Sequence, residues 1–188
     1  MNFRYFSLQP FSAAMNMALD EVFMEEVKQG KEPVLRLYQW KPSAVSIGYF
    51  QGIKYEVDQQ ACKENGVDIV RRQTGGGAVF HEQEITYSII APQGTFSTYI
   101  LKSYEKICGY LVAALKSLGV EAKFSPINDI VVADRKISGN AQTRKNGILL
   151  QHGTIICKVD VEKMFSLLKV GKEKRSDKLI QSVKKAVT

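Results

Sequence analysis

The sequence predicts an α+β fold in which a mixed central β-sheet is flanked by helices. Strand-like runs crowd the middle of the chain, helical periodicities interrupt them without strict alternation, and a glycine-rich stretch joins two strands. The 188 residues, 45% hydrophobic and 24% charged, suffice for one domain with a real core, and length gives no reason for two.

In chain order, Ser12 to Gln29 reads as an amphipathic helix. Met15, Ala18, Leu19, Val22 and Phe23 follow helical spacing, Ser12 can cap the start and Gly30 can end it. VLRLYQW and SAVSIGYF then read as neighbouring strands joined by a turn at Lys41-Pro42. A second helix is expected over Val57 to Asn65, stopped by Gly66. VDIVRR and AVFH read as strands, and so does EITYSIIA, where Ile85, Tyr87 and Ile89 alternate with Thr86, Ser88 and Ile90. Thr98 to Leu118 is a long helical pattern with Gly119 at its end. VEAKF, DIVVA and ILLQHGTIICKV read as further strands, and VEKMFSLLKV as a last helix.

RRQTGGGAVFH, Arg71 to His81, carries the strongest chemical signal. Gly75, Gly76 and Gly77 keep the backbone bare beside arginine, so their amides can approach an anion closely. No Lys-Ser or Lys-Thr follows as a phosphate-cradling loop requires, and Phe80 stands where a dinucleotide fingerprint needs its third glycine. A second polar cluster, NDIVVADRKISGNAQ, brings Asn128, Asp129, Lys136, Ser138, Gly139 and Asn140 to one rim if it folds as a hairpin. His152, in QHGT, adds a histidine inside a strand.

Cys62, Cys108 and Cys157 are far apart and have no partner at metal spacing, so neither disulfides nor zinc are indicated. The start, MNFRYFSLQPF, lacks the pattern of a secretory signal, and no apolar run approaches bilayer length. A cytosolic protein without membrane attachment is expected. Net charge is +7, and Lys158 to Thr188 holds nine Lys or Arg against four Asp or Glu. Phe165 is the only aromatic residue among them, so a stacking platform for nucleic acid is not expected.

Taken together and in this order, RRQTGGGAVFH, INDIVVADRKISGNAQ and LLQHGT resemble the lipoate–protein ligase A family, within the biotin and lipoate protein ligase superfamily. The resemblance runs from MNMALDE through YQWKPSAVSIGYFQ to KRSDKLIQSVKKAVT and covers nearly all of the chain. It implies a fold like that of class II aminoacyl-tRNA synthetases and biotinyl protein ligases. Residues 1–188 would form a single catalytic domain that stops before the family's C-terminal accessory domain. It also implies ATP-dependent activation of lipoate or octanoate to an acyl adenylate with Mg²⁺, then transfer to a lysine of an acceptor. The acceptors implied are apo lipoyl domains, such as 2-oxoacid dehydrogenase E2 subunits and the glycine cleavage H protein, with a separate accessory subunit if the chain is half of a two-protein ligase.

Position by position, the resemblance makes Lys136 the catalytic lysine at the carboxyl or mixed-anhydride oxygens. Arg72, Gly75, Gly76, Gly77, Ala78, Val79, Phe80 and His81 would line the acyl-adenylate pocket. Asn128 and Asp129 match a pair near the phosphates, where the carboxylate suits Mg²⁺, and Ser138, Gly139 and His152 match neighbouring pocket positions. Lys169, Lys172, Lys174, Arg175 and Lys178 fall in the region of an adenylate-covering loop. The nearest rival is an ATP-independent octanoyl or lipoyl transferase of the same superfamily, which holds the acyl group on a cysteine. AKFSPINDIVVADRKISG has no cysteine, and Cys157 reads as a strand-core residue, so the ligase is the expectation. A biotin ligase resembles the chain only distantly, and a non-enzymatic basic module leaves the three motifs unexplained.

Overall fold

A computed structural model describes residues 2–169. In chain order the elements are β1 (Arg4–Phe11), α1 (Ala13–Lys28), β2 (Val34–Trp40), β3 (Ala44–Ile47), α2 (Ile53–Glu56), α3 (Gln59–Glu64), β4 (Asp68–Arg71) and β5 (Val79–His81). They continue with β6 (Gln83–Pro92), α4 (Ile100–Ser117), β7 (Ala122–Ser125), β8 (Asp129–Val132), β9 (Arg135–Lys145), β10 (Ile148–Lys158) and α5 (Val161–Leu167). The fold is the expected α+β arrangement. A seven-stranded mixed sheet runs in the order β1-β2-β6-β10-β9-β8-β7, and a three-stranded sheet in the order β4-β3-β5. Pairing is antiparallel except for β1 with β2 and β3 with β4.

Strand alternation divides the large sheet between two cores. On one face Val34, Ile90 and Leu150 pack against Phe23 and Val27 of α1. On the other, Leu35, Leu37, Tyr87, Ile89 and Leu149 pack against Ile107 of α4. A third cluster, Val45, Ile47, Val57, Cys62, Phe80 and Leu167, fills the space under the small sheet.

Several local expectations change. β2 and β3 are not neighbours: β2 belongs to the large sheet, whereas β3 lies between β4 and β5, with all four residues buried. Full burial on both faces suits a central strand, and a hairpin reading from Lys41-Pro42 could not detect it. Ser12 caps α1 as expected, its side chain accepting from the Met15 amide, but the buried face differs. Met15 and Val22 are about half exposed, and Asn16 and Asp20 face inward with Met17, Phe23 and Val27. The cause is Arg36 of β2, only 2% exposed. It donates to the Asn16 carbonyl at 3.1 Å and to Asp20 Oδ1 at 3.2 Å, and also to the Asn16 side chain. The helix expected over Val57 to Asn65 is α3, capped at its start by Asp58, which accepts from the Ala61 amide at 3.0 Å; the short α2 that precedes it was not expected. β1 escaped notice because its six inner residues are all exposed, which erases alternation.

Candidate active site

Two local devices place the lysine cluster. Ala133 and Asp134, with φ of 46° and 62°, form the two-residue turn that folds β8 onto β9. The register sets Lys136 opposite Val131 and Gly139 opposite Asp129. Lys136 Nζ lies 2.8 Å from Asp129 Oδ1, an ionic contact, because that oxygen is buried without a well-directed donor. Bare backbone at Gly139 is required here: a Cβ would stand 2.9 Å from Lys136 Cε and 3.0 Å from Nζ. Asn128 and Asn140 exchange side-chain-to-carbonyl hydrogen bonds that hold β9 to the residue before β8, and Asn140 Nδ2 also donates to Ser138 Oγ at 3.2 Å.

Arg72 organises the glycine loop. Nη2 donates to the carbonyls of Gly75 at 2.8 Å and Gly77 at 2.7 Å. Nη1 donates to the Ser46 carbonyl at 3.0 Å and to Ser46 Oγ at 3.2 Å, and Nε to Thr74 Oγ1 at 3.2 Å. These five contacts use all five guanidinium N–H groups. Burial lowers the Arg72 pKa from 12.5 to about 10, because a low-dielectric setting penalises the cation. Gly76 has φ of +96°, and its carbonyl sits 2.1 Å from where a Cβ on Gly48 would be. The glycines therefore serve both a left-handed turn and a close approach to β3.

The chain's two histidines stand on either side of Arg72 in similar relays. His81 Nε2 lies 2.7 Å from Ser46 Oγ, and Nδ1 lies 2.7 Å from Glu84 Oε1. The same carboxylate oxygen accepts from Thr86 Oγ1 at 2.7 Å, which accepts in turn from Trp40 Nε1 at 2.7 Å. The Trp40 and His81 rings stack with centroids 4.1 Å apart. His152 Nε2 lies 2.6 Å from Thr74 Oγ1, and its Nδ1 a looser 3.4 Å from Asp20 Oδ2.

These groups surround a cavity of about 540 Å³, within the usual range for small-molecule sites. Lys136, Arg72, Gly75, Gly76, Gly77, Ala78, Val79, Phe80, His81, Asn128, Gly139 and His152 line it. Ser138 and Asp129 stand behind the wall and act through Asn140 and Lys136. Met17, Trp40, Phe80, Ile156 and Met164 supply apolar surface. Asn140, from the second polar cluster of the sequence, lines the cavity too, and so do Ser46, Glu84, Thr86 and Gln142, which were not expected at the site. Glu84 alone left a signal, a carboxylate on the face of β6 that otherwise carries Thr86, Ser88 and Ile90.

Magnesium does not fit the donors present. Asp129 is already engaged with Lys136, and no group of three or more His, Cys, Asp or Glu that could hold a metal occurs among the described residues. No cysteine lines the cavity. Burial pushes the Cys108 thiol up to about 12 and raises that of Cys62. Cys157 is exposed rather than a strand-core residue, since it lies near the end of β10, between the cavity-lining Ile156 and Lys158. Of the basic tail, Lys169 Nζ donates to the Lys54 carbonyl at 3.0 Å; Lys172, Lys174, Arg175 and Lys178 lie outside the described residues. No helix among the described residues is long and apolar enough to cross a membrane.

The chain is an enzyme of the lipoate ligase and transferase superfamily, and it belongs to the lipoyl protein ligase A/B catalytic domain family, whose model matches residues 12–188. Octanoyltransferase LipM of Staphylococcus epidermidis is 37% identical over 199 residues, 92% of this chain and 72% of that protein. LipM of Carboxydothermus hydrogenoformans is 42% identical over 178 residues, 85% of this chain and 66% of that protein. Among solved structures, lipoate-protein ligase A bound with ATP superposes with a TM-score of 0.83 at 28% identity, covering 100% of this chain and 76% of the other. The bipartite lipoate protein ligase of Thermoplasma acidophilum gives 0.81 at 29%, covering 98% and 74%.

These likenesses overturn the expectation of an ATP-dependent lipoate ligase. The relatives at 37% and 42% identity are octanoyltransferases, whereas the ligase structures stand at 28% and 29%. The motifs behind the ligase expectation form the pocket's backbone and its lysine, which any enzyme passing such an acyl group to a lysine can share.

Proposed function

We propose that the chain is an acyltransferase that takes an octanoyl group from a thioester donor and delivers it to a lysine of an acceptor lipoyl domain without ATP. The identity with octanoyltransferases, 37% to 42%, carries this reading. The cavity supports it physically: apolar side chains can enclose a medium-length acyl chain, and Lys136 at the rim can face the carbonyl oxygen as charge develops there. Asp129 then holds the ammonium in place, and Arg72 acts as the brace that shapes the glycine wall. His152 and Ser138 stabilise the wall rather than meet the donor. Lipoyl domains of 2-oxoacid dehydrogenase E2 subunits and the glycine cleavage H protein are the acceptors to test, and a cytosolic location is consistent with them.

The test offers an apo lipoyl domain with octanoyl carried as a thioester on an acyl carrier, or free lipoate or octanoate with Mg-ATP, and weighs the acceptor by mass spectrometry. Octanoylation from the thioester without ATP is expected. Modification only from the free acid with ATP overturns the proposal.

A further inference from the structure

Direct attack by the acceptor lysine is one way to complete such a transfer, but the cavity wall carries a more specific arrangement. Ser46, His81 and Glu84 are 1%, 5% and 5% exposed, and all line the cavity. Their contacts have one consistent direction. Glu84 faces Nδ1 of His81 at 2.7 Å and fixes a proton there, so that in the neutral ring Nε2 accepts from the Ser46 hydroxyl at 2.7 Å. Arg72 Nη1 donates to Ser46 Oγ at 3.2 Å, which leaves the hydroxyl proton for the imidazole. Behind the carboxylate, Thr86 and Trp40 fix its position, and the Trp40 ring stacks on His81. Hydroxyl, imidazole and carboxylate in this order make an activated nucleophile, recognised by geometry rather than by sequence position. The parallel relay through His152 differs where it matters: Thr74 is fully buried and does not line the cavity.

We propose that Ser46 is the covalent acyl carrier of this enzyme, activated by His81 and Glu84, in place of a cysteine thiol. The proposal rests on the acyltransferase reading above. In the first half-reaction Ser46 Oγ attacks the thioester carbonyl carbon while its proton passes to His81 Nε2. The carbon–sulfur bond breaks and that proton goes to the departing thiolate, leaving an oxygen ester on Ser46 and a free thiol. In the second, the neutral amine of the acceptor lysine attacks the ester carbonyl. Nε2 takes a proton from the amine and returns it to Ser46 Oγ as the ester bond breaks, which yields the amide and the original enzyme. Each product is less reactive than its precursor, from thioester to oxygen ester to amide, so no further energy source is needed. Lys136, lining the same cavity, offers the positive charge for the carbonyl oxygen in both steps.

The experiment incubates the enzyme with octanoyl thioester in the absence of acceptor and maps any adduct by peptide mass spectrometry. One octanoyl group on the peptide containing Ser46, stable to neutral hydroxylamine, is expected. Ser46→Ala should keep the thermal melt and lose transfer to the lipoyl domain by about a thousandfold, whereas Cys157→Ser should transfer as the wild type does. Wild-type transfer by Ser46→Ala, or an adduct on a cysteine, overturns the proposal. A long-chain alkyl fluorophosphonate, which labels activated serines, separates this idea from the choice of donor. If octanoyl transfer fails but the probe labels Ser46 and spares Glu84→Gln, the nucleophile stands and the acyltransferase reading falls. If the probe leaves Ser46 unlabelled, the nucleophile falls.

Discussion

Lys136 shows how one side chain is made available by its neighbours. Its ammonium is held by Asp129 at 2.8 Å, and Gly139 leaves room for its stem. Lys136→Met should therefore lower transfer by about a hundredfold to a thousandfold, the range for losing one donor to a developing oxyanion. Its melting temperature should stay near that of the wild type, because the ion pair is partly solvated. Asp129→Asn should cost less, since it frees the lysine without removing its charge; steady-state rates of both variants beside their thermal melts check this. The hairpin that carries the lysine was legible in the sequence because DRK between two apolar runs is local turn chemistry, while the lysine itself stood out only through the family resemblance. Ser46 was not legible, for a serine in an otherwise apolar run has no local signature. Arg72 shows the reverse: its presence was legible, but only the structure shows that every N–H is spent on the protein's own oxygens.

Among the elements, the contact of α1 with β2 departs most from simple amphipathic packing. Arg36, Asn16 and Asp20 form a buried polar knot, with Ser88 of β6 donating to Asp20 Oδ1 at 2.9 Å. Removing one partner leaves a buried charge uncompensated, so Arg36→Met should destabilise the protein by about 3–5 kcal/mol. Urea denaturation midpoints measure it, and a loss below about 1 kcal/mol would show that Asp20 finds other partners. The knot also ties the cavity wall to packing: Asp20 Oδ2 faces His152, which lines the cavity. Sequence periodicity located α1 within a residue at each end but chose the wrong inward face. A pattern reading scores Asn and Asp as polar and cannot see the arginine that meets them from another strand.

Across the whole molecule, burial of titratable groups predicts alkaline instability. The Cys108 thiol rises from its ordinary 9.0 to about 12 through burial, so between those values the folded chain keeps a proton that the unfolded chain has released. Stability then falls as pH rises through that window, and this contribution is whole below about pH 9. The Tyr38 and Tyr87 phenols, raised well above 10.0 by burial, act in the same direction at higher pH. Urea midpoints taken between about pH 8 and pH 11 should fall for the wild type and fall less for Cys108→Ala.

The sequence by itself determined the fold class, the family, the glycine loop and the lysine hairpin, because turns, bare backbone and strand alternation are written in neighbouring residues. Tertiary structure decided what those parts face. Antiparallel pairing of β3 with β5 puts Ser46 opposite Val79 and Ala44 opposite His81, so Ser46 and His81 become diagonal neighbours on one side of the small sheet. Glu84 reaches the same imidazole from β6, which belongs to the other sheet. No local pattern specifies that meeting, since it depends on how two sheets pack around a shared cavity.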